Sequence, residues 1–447
     1  MATSHILHRS LKSDYPVAAG GEGVYLVDST GKRYLDGSGG AAVSCLGHGH
    51  PRVIAAIKAQ LDKVAFAHTS FFTNEPAEKL AAWLAERAPG DLDRVCFVAG
   101  GSEAMEAAIK FARQVQIERG EDKRTRFIAR RQSYHGATLG GLSLGGHAAR
   151  RAKYAAMLSP AMSHIEACYP YRLQEEGETD EAYGKRAARA LEDEILRLGP
   201  DTVAAFAAET VVGSTMGAVA PPPGYFREIR RICDKHGVLL ILDEVMCGMG
   251  RTGTLFACEQ DGVVPDVVAT AKGLGGGYQP IGAMIVRGEH ADLIAGGSGA
   301  FEHGHTYMAH AAACAGALAI QQVIEEDGLL ARVTARAGTF RKMLQEKFGQ
   351  HPHVGDIRGR GLFVGIELVA DRADKRPFDP ARGLAGRFKS LARKNGLIVY
   401  PNAGTIDGKA GDHVLVAPPF IISEDELETL AGLLDRTLQD ALAAVQA

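Results

Sequence analysis

Two apolar runs, residues 239–245 and 267–277, constrain the fold of this chain more than any other feature of its sequence. Each run is rich in β-branched or aliphatic residues, delivers one charged side chain (Asp243 in the first, Lys272 in the second) and then breaks into a loop or into glycines. Short apolar runs of this kind are typical of buried strands, and ligands bind at the carboxyl edge of an open α/β sheet. We therefore expect Asp243 and Lys272 at one edge of a mainly parallel sheet.

The two charged residues suggest a particular chemistry. Lys272 follows small and apolar residues, so its amine should be partly desolvated, which lowers the pKa of a lysine and makes it a nucleophile. A lysine that can form an imine and a carboxylate that can keep a pyridinium nitrogen protonated are the groups that pyridoxal chemistry requires. Taken alone, each residue also has an ordinary interpretation, as a solvated strand end or as a helix cap.

An anion site is predicted where an apolar strand, residues 95–99, passes through two glycines into a helix. The backbone N–H groups of Gly101 and Ser102 at that helix start, together with the Ser102 hydroxyl, suit a phosphate. The alternative is an ordinary strand–turn–helix in which Ser102 is the N-cap. Tyr134 follows a second predicted strand, where its ring could cover a planar cofactor or pack a loop.

The order of the predicted elements indicates two cores. Strands and helices alternate between residues 95 and 286, which favours a mainly parallel sheet with right-handed crossovers. The last third has a charged helix, short strands and a closing helix with a capping box at residues 423–426. We predict an N-terminal segment (1–60) that joins the small domain, a large cofactor-binding domain (61–325) and a C-terminal small α+β domain (326–447).

Composition excludes several classes of function. The net charge of −3 gives no general attraction to nucleic acid or to anionic membranes, and no run of uncharged apolar residues is long enough to span a bilayer. The seven cysteines are scattered and form no C-x-x-C pair, which fits reduced thiols better than a disulfide framework or a zinc site. Residues 1–13 lack the apolar core of a signal peptide. We expect a cytoplasmic protein without a metal ion.

In sequence order, these motifs resemble the class III pyridoxal-phosphate-dependent aminotransferases of the omega-amino acid/amine:pyruvate type. The resemblance spans nearly the whole chain, and its strongest motifs are residues 97–104, 133–136, 242–245, 248–253 and 271–277. Several motifs in the same order are far more specific than any one of them. The resemblance implies fold type I, an α/β architecture in which a large domain contains a mainly parallel seven-stranded sheet and both chain ends form a small α+β domain. It also implies pyridoxal 5′-phosphate as the cofactor.

The resemblance further implies catalytic roles for Lys272 and Asp243. Lys272 would hold the cofactor aldehyde as an internal aldimine and would then move the proton during a ping-pong transfer of the amino group. Asp243 would keep the ring nitrogen protonated. Thr306 matches a residue that reaches the phosphate in the neighbouring subunit, which implies a homodimer with composite sites, or a tetramer of such dimers.

The other matched residues are expected to surround the cofactor. Gly101 and Ser102 would bind the phosphate, while Val245 and Tyr134 would cover the two faces of the ring. The complete set of cofactor-binding residues implied by the resemblance is Gly101, Ser102, Tyr134, His135, Glu209, Asp243, Val245, Lys272 and Thr306.

The expected substrate pocket departs from the pattern of the family. Relatives that act on amines commonly carry Leu-Trp where this chain has Ala41 and Ala42, which implies room for a larger amine. Many relatives also clamp the substrate carboxylate with an arginine, but residues 408–413 contain none, and Lys409 would be only a point-charge substitute. The residues predicted to border the pocket are Ala41, Ala42, Phe71, Phe72, Arg360 and Lys409.

The activity predicted from this resemblance is transfer of an amino group from an amine or omega-amino acid to a keto acid such as pyruvate. A decarboxylase or an aminomutase on the same scaffold is an alternative, which release of CO2, or product formation without an added keto acid, would favour. A non-catalytic protein that binds pyridoxal phosphate is an alternative of another class, and any turnover of bound cofactor would exclude it.

Overall fold

A computed structural model describes residues 4–446 of the chain. The outermost residues of the predicted terminal segments, 1–3 and 447, lie outside that range. The strands are β1 (Ala18–Glu22), β2 (Tyr25–Asp28), β3 (Arg33–Asp36), β4 (Leu92–Val98), β5 (Arg126–Arg130), β6 (Met162–Ile165), β7 (Val203–Glu209), β8 (Leu239–Asp243), β9 (Val267–Thr270), β10 (Gly282–Arg287), β11 (Val354–Arg360), β12 (Phe363–Leu368), β13 (Leu397–Ile398), β14 (Tyr400–Ala403) and β15 (Asp412–Val416).

Helices of very different length connect these strands. Most are amphipathic and lie on a sheet, whereas the first is interrupted by non-helical backbone at Gly40 and Ala41. The helices are α1 (Gly39–Ala42), α2 (Pro51–Lys63), α3 (Glu75–Arg87), α4 (Gly101–Glu118), α5 (Leu139–Leu144), α6 (Ala148–Ala152), α7 (Pro170–Leu173), α8 (Asp180–Leu198), α9 (Tyr225–His236), α10 (Gly288–Gly296), α11 (Ala311–Glu326), α12 (Leu329–Phe348), α13 (Leu384–Lys394) and α14 (Glu424–Gln446).

The central sheet has seven strands in the order β4-β10-β9-β8-β7-β5-β6. Only β10 runs antiparallel to its neighbours, β4 and β9. The remaining pairs are parallel. The predicted α/β class and the mainly parallel seven-stranded sheet are therefore confirmed.

Both faces of this sheet are buried. Leu240 and Leu242 of β8 belong to one apolar cluster, while Leu239 and Ile241 belong to another on the opposite face. Successive side chains of a strand point to opposite faces, so a continuous apolar run can bury both. Helices α3, α8 and α9 cover the first face and α4 covers the second, which makes the large part of the molecule a three-layer α/β structure.

The chain ends come together in a second core. Strand β13 pairs in parallel with β3, so a C-terminal strand extends the N-terminal sheet β1-β2-β3-β13. An antiparallel sheet, β11-β12-β15-β14, lies in the C-terminal part. One apolar cluster includes Val24 and Leu35 as well as Phe340 and Leu434. The division of the chain at residues 60 and 326 stays a prediction.

Strand register brings three of the predicted site residues to one edge of the sheet. Glu209, the last residue of β7, is paired with Asp243, the last residue of β8. Asp243 is in turn paired with Ala269 of β9, and Lys272 follows two residues after that strand ends. The carboxyl ends of parallel strands thus form the floor of a site. Within residues 4–446, no helix combines the length and the apolar character that crossing a bilayer requires.

Candidate active site

Lys272 lies two residues after the end of β9. Its φ of 42° lies in the left-handed region, which a residue with a side chain rarely adopts and which is common at functional sites. Burial lowers the pKa of Lys272, and the negative charges of Asp243 and Glu209 oppose that shift. Within residues 4–446 the amine has no hydrogen-bond or ion-pair partner, so it is free to react.

Asp243 is held by two hydrogen bonds at the floor of the site. His135 Nδ1 donates to Asp243 Oδ2 over 2.9 Å, and the backbone N–H of Val245 donates to Oδ1 over 3.0 Å. The side chains of His135 and Asp243 are both buried. Hydrogen bonds from fixed donors hold a carboxylate in one direction. Asp243 can therefore present a negative charge to a ligand atom in the site.

Glu209 connects the sheet edge to the loop that carries the aromatic ring. Its carboxylate accepts hydrogen bonds from the backbone N–H groups of Tyr134 (2.8 Å) and Gly213 (2.7 Å). Burial raises the pKa of Glu209, and the negative charge of Asp243 adds to that rise, while His135 and the two N–H groups oppose it. Glu209 thus positions Tyr134 from below through its main chain.

An anion cradle lies at the start of α4. The N-cap position is taken by Gly100 and not by Ser102, so the simple N-cap interpretation of Ser102 does not apply. Instead, Ser102 Oγ accepts a hydrogen bond from the backbone N–H of Ala137 over 3.1 Å. A Cβ atom on Gly101 would lie 2.7 Å from Val245 Cγ1. The unpaired N–H groups of an 18-residue helix and a glycine-lined approach suit a phosphate.

These groups line one cavity of about 540 Å³, a size typical of small-molecule sites. Of the predicted cofactor-binding residues, the cavity brings together all except Thr306. Sequence reasoning missed several of its walls. These are Val43 near α1, Val211 and Met246 after β7 and β8, and the segment 277–281 before β10. The last segment reaches the site because β10 runs antiparallel, so its beginning lies at the edge where the parallel strands end.

The residues predicted for the substrate pocket lie elsewhere in the single chain. Ala42 is buried in an apolar cluster that includes Leu415, and its neighbour Val43 is the residue that faces the cavity. The Arg360 guanidinium is bound to the Asp261 carboxylate, with nitrogen–oxygen distances of 2.7 and 3.0 Å, and it does not line the cavity. The exposed side chains of this predicted set are Phe71, Phe72 and Lys409, and Thr306 is exposed as well.

Two contacts at this site were not predicted from the sequence. The contact of His135 with Asp243 joins residues that lie far apart in the chain. The other unpredicted contact is that of Arg150, whose Cζ lies 4.7 Å from the centre of the Tyr134 ring. The adjacent arginines at positions 150 and 151 were the only hint of this contact in the sequence, and such a pair on a short helix usually faces the solvent.

Known proteins share this sequence and this architecture. The family model described as aminotransferase class-III matches residues 11–438. An uncharacterized aminotransferase of Schizosaccharomyces pombe is 45% identical over 99% of this chain and 96% of that protein. An (S)-enantioselective omega-transaminase of Thermomicrobium roseum superposes with a TM-score of 0.92 at 38% identity, covering 98% of this chain and 97% of that one.

A second solved structure agrees with the first. The PMP-bound form of an aminotransferase from Vibrio fluvialis has a TM-score of 0.89 at 32% identity, and the match covers 96% of this chain and 93% of that one. The family match and these full-length likenesses favour amino-group transfer over the decarboxylase, aminomutase and non-catalytic alternatives. The chain belongs to the class III aminotransferase family, with the fold type I architecture, and it is an enzyme that transfers amino groups.

Proposed function

We propose that this aminotransferase uses pyridoxal 5′-phosphate to move an amino group from an amine or omega-amino acid to a keto acid such as pyruvate. The observation that carries the proposal is that an oriented carboxylate, an anion cradle and a lysine with no side-chain partner in residues 4–446 meet at one cavity. The likeness to an omega-transaminase of Thermomicrobium roseum supports this class of substrates.

The residues present fit such a cofactor. The amine of Lys272 could bond to an aldehyde, and Gly101 and Ser102, whose N–H groups would hold the phosphate, line the cavity at the start of α4. Asp243 is the carboxylate available to a protonated ring nitrogen, and His135 fixes its orientation. In our proposal, Val245 and Tyr134 contact the two faces of the ring. Both of these side chains also line the cavity.

When bound, pyridoxal phosphate supplies an aldehyde that links covalently to amines and a ring that accepts electrons from the substrate carbon. Lys272 Nζ would act as the general base that takes the proton from the substrate carbon bearing nitrogen, and as the acid that later gives this proton back. Burial lowers the pKa of Lys272, which is the direction that a general base needs. Asp243 would hold the ring nitrogen in its protonated form, and Glu209 holds the Tyr134 main chain in place.

We also propose that the enzyme works as a homodimer with composite sites. Phe71, Phe72 and Tyr307 are exposed by 79%, 67% and 63%, and Phe66 packs edge-on against Tyr307 at 5.6 Å between ring centres. Large exposed aromatic groups that lie close together are typical of subunit interfaces. Thr306 is exposed next to Tyr307, so that a second copy docked on this surface would receive its hydroxyl at the phosphate site.

An absorption spectrum of the purified protein tests this proposal. We expect the visible band of lysine-bound pyridoxal phosphate, its loss when a suitable amine is added, and its return when pyruvate follows. The Lys272→Ala variant should bind the cofactor without the band and without transfer, while light scattering should still give a dimer. A protein that shows no band after addition of the cofactor, or normal transfer by Lys272→Ala, would refute the assignment.

The same samples separate amino-group transfer from its rivals. Transfer consumes one amine for each keto acid converted and releases no CO2. Release of CO2, or formation of product without a keto acid, would instead indicate a decarboxylase or an aminomutase.

A further inference from the structure

Arg150 places a guanidinium next to the cavity wall that Tyr134 forms. Arg150 lies on α6, half-buried, with its Cζ 4.7 Å from the centre of the Tyr134 ring. Within residues 4–446 its side chain has no carboxylate partner and no hydrogen bond. The next residue is the opposite case, because Arg151 Nη1 donates to the carbonyl oxygens of Leu142 (3.0 Å), Ser143 (2.6 Å) and Gly145 (2.7 Å). Arg151 holds the local fold, whereas Arg150 is available to a ligand.

The surroundings of α6 fix Arg150 in this place. A Cβ atom on Gly408 would lie 3.0 Å from the backbone nitrogen of Ala149, so the loop 404–411 packs against the start of α6. Gln132 Nε2 ties the same loop to the end of β5 by donating to the carbonyl oxygens of Gly404 (2.7 Å) and Thr405 (3.2 Å). The helix that carries Arg150 is therefore clamped beside the segment that carries Tyr134.

The electrostatics at Tyr134 are positive on the side of Arg150. Burial raises the pKa of Tyr134, and the charges of Arg150 and Arg9 oppose that rise. His147, which caps α6, adds no charge there at neutral pH, because burial and the charge of Arg150 lower its pKa to about 4. The cavity itself contains the carboxyl groups of Asp243 and Glu209 together with the amine of Lys272. A substrate carboxylate would therefore meet a favourable charge on the side of Arg150, away from these two carboxyl groups.

Resting on the function proposed above, we propose that Arg150 binds the carboxylate of the amino-acid donor and of the keto-acid acceptor and is a specificity-determining residue. Tyr134 lines the cavity, and Arg150, which lies behind the lining residues, has its Cζ 4.7 Å from the centre of the Tyr134 ring. A guanidinium this close to an aromatic ring is attracted to it and can still hold a carboxylate by two parallel hydrogen bonds. Lys409, the cation that the sequence offers for this role, is exposed and carries no such fork.

The test compares ligands that differ only in a carboxylate. The enzyme loaded with pyridoxal phosphate is titrated with 3-phenylpropionate, which cannot react, and binding is measured by calorimetry. The cofactor is then converted with 4-aminobutyrate or with butylamine, and the ratio of the two rates is determined. We expect Arg150→Ala to raise the Kd for 3-phenylpropionate and the KM for pyruvate about ten- to hundredfold, and to lower the ratio of rates similarly.

Three further variants make the test specific. Arg150→Lys keeps the charge but loses the fork, so its Kd should lie between those of the parent and of Arg150→Ala. Lys153→Ala removes one charge from an exposed position next to the same helix and should leave the Kd and the rate ratio at the parent values. If Arg150→Ala is poorly folded by circular dichroism, Arg150→Gln, which keeps the aliphatic stem, replaces it.

Different results would contradict the role of Arg150 and the proposed function. Parent-like binding of 3-phenylpropionate by Arg150→Ala, or an equal loss in Lys153→Ala, would overturn the role of Arg150. Failure of the parent enzyme to react with any amine would refute the proposed function instead, and the binding of 3-phenylpropionate would still decide the role of Arg150.

Discussion

Replacing Gly101 by alanine tests how closely the cofactor site is packed. A Cβ atom at this position would lie 2.7 Å from Val245 Cγ1 and 3.0 Å from Cγ2, closer than carbon atoms can approach. Gly101 is the first residue of α4, and Val245 lies two residues after β8 with its N–H bound to the Asp243 carboxylate, so neither backbone can move away easily. The Val245 side chain must therefore move, and the open space beside it is the cavity that both residues line.

Gly101→Ala has two opposing effects on the free energy of unfolding. Alanine in a helix is favoured over glycine by up to about 1 kcal/mol, and overpacking costs about 1–3 kcal/mol. Because Val245 can relieve the clash by entering the cavity, we expect the free energy of unfolding without cofactor to change by no more than about 1 kcal/mol. The substitution should instead weaken cofactor binding, with a Kd for pyridoxal phosphate that rises about 5- to 100-fold, equivalent to about 1–3 kcal/mol.

The assay is a titration of the cofactor-free protein with pyridoxal phosphate, followed by absorbance, in a double-mutant cycle with Val245→Ala. Shortening Val245 removes the methyl groups that clash, so Gly101→Ala should cost little in that background. Gly338→Ala is the matched control, since Gly338 lies in α12 with no atom within 4 Å of an added Cβ. Cofactor binding by Gly101→Ala as tight as in the parent, or the absence of coupling to Val245, would refute this account of the packing.

Three further predictions concern charge and assembly. Asp243→Asn should slow the conversion of cofactor by an amine about a thousandfold. The variant loses a charge interaction of about 4 kcal/mol at ~4 Å, and about 1.4 kcal/mol corresponds to a factor of ten in rate. A rate within tenfold of the parent would contradict the role of Asp243. Burial raises the pKa of Glu244 to about 7 from an ordinary 4.5, so the folded chain keeps a proton that the unfolded chain loses. The free energy of unfolding should accordingly fall as the pH rises from about 4.5 to 7, and Glu244→Gln should flatten this fall by up to about 3 kcal/mol in urea titrations; an unchanged slope would contradict the assignment. Thr306→Ala should raise the cofactor Kd about tenfold or more without changing the free energy of unfolding of the cofactor-free protein, and an unchanged Kd would exclude the composite phosphate site.

Regular elements with strong local patterns were predictable from the sequence. The charged helix predicted for the last third of the chain is α12, which spans residues 329–348. The capping box before α14 is also confirmed, since the Ser423 N–H donates to Glu426 Oε2 and the Glu426 N–H donates to Ser423 Oγ. These features depend on residues three or four positions apart, so the sequence contains all the information that they need.

Two strands were missed because their local pattern is weak. Strand β1 has the sequence AAGGE and is largely exposed, and β6 has only four residues at the end of the central sheet. Neither alternates polar and apolar residues, and each is a strand because it lies beside another one. Helix α8 shows a further limit of local patterns, because its sequence is strongly charged and yet one side buries Tyr183, Leu191 and Ile195 against the sheet.

By itself, the sequence determined that two apolar strands carry Asp243 and Lys272 and that a glycine-rich turn opens a helix at Gly101, because strand ends and helix starts are local properties. Only the tertiary structure decided which groups meet. The order of the sheet sets His135 against Asp243, and the clamped loop 404–411 sets Arg150 beside Tyr134. Such contacts join segments that the sheet order makes neighbours, and that order is decided by how the whole core packs and not by any single segment.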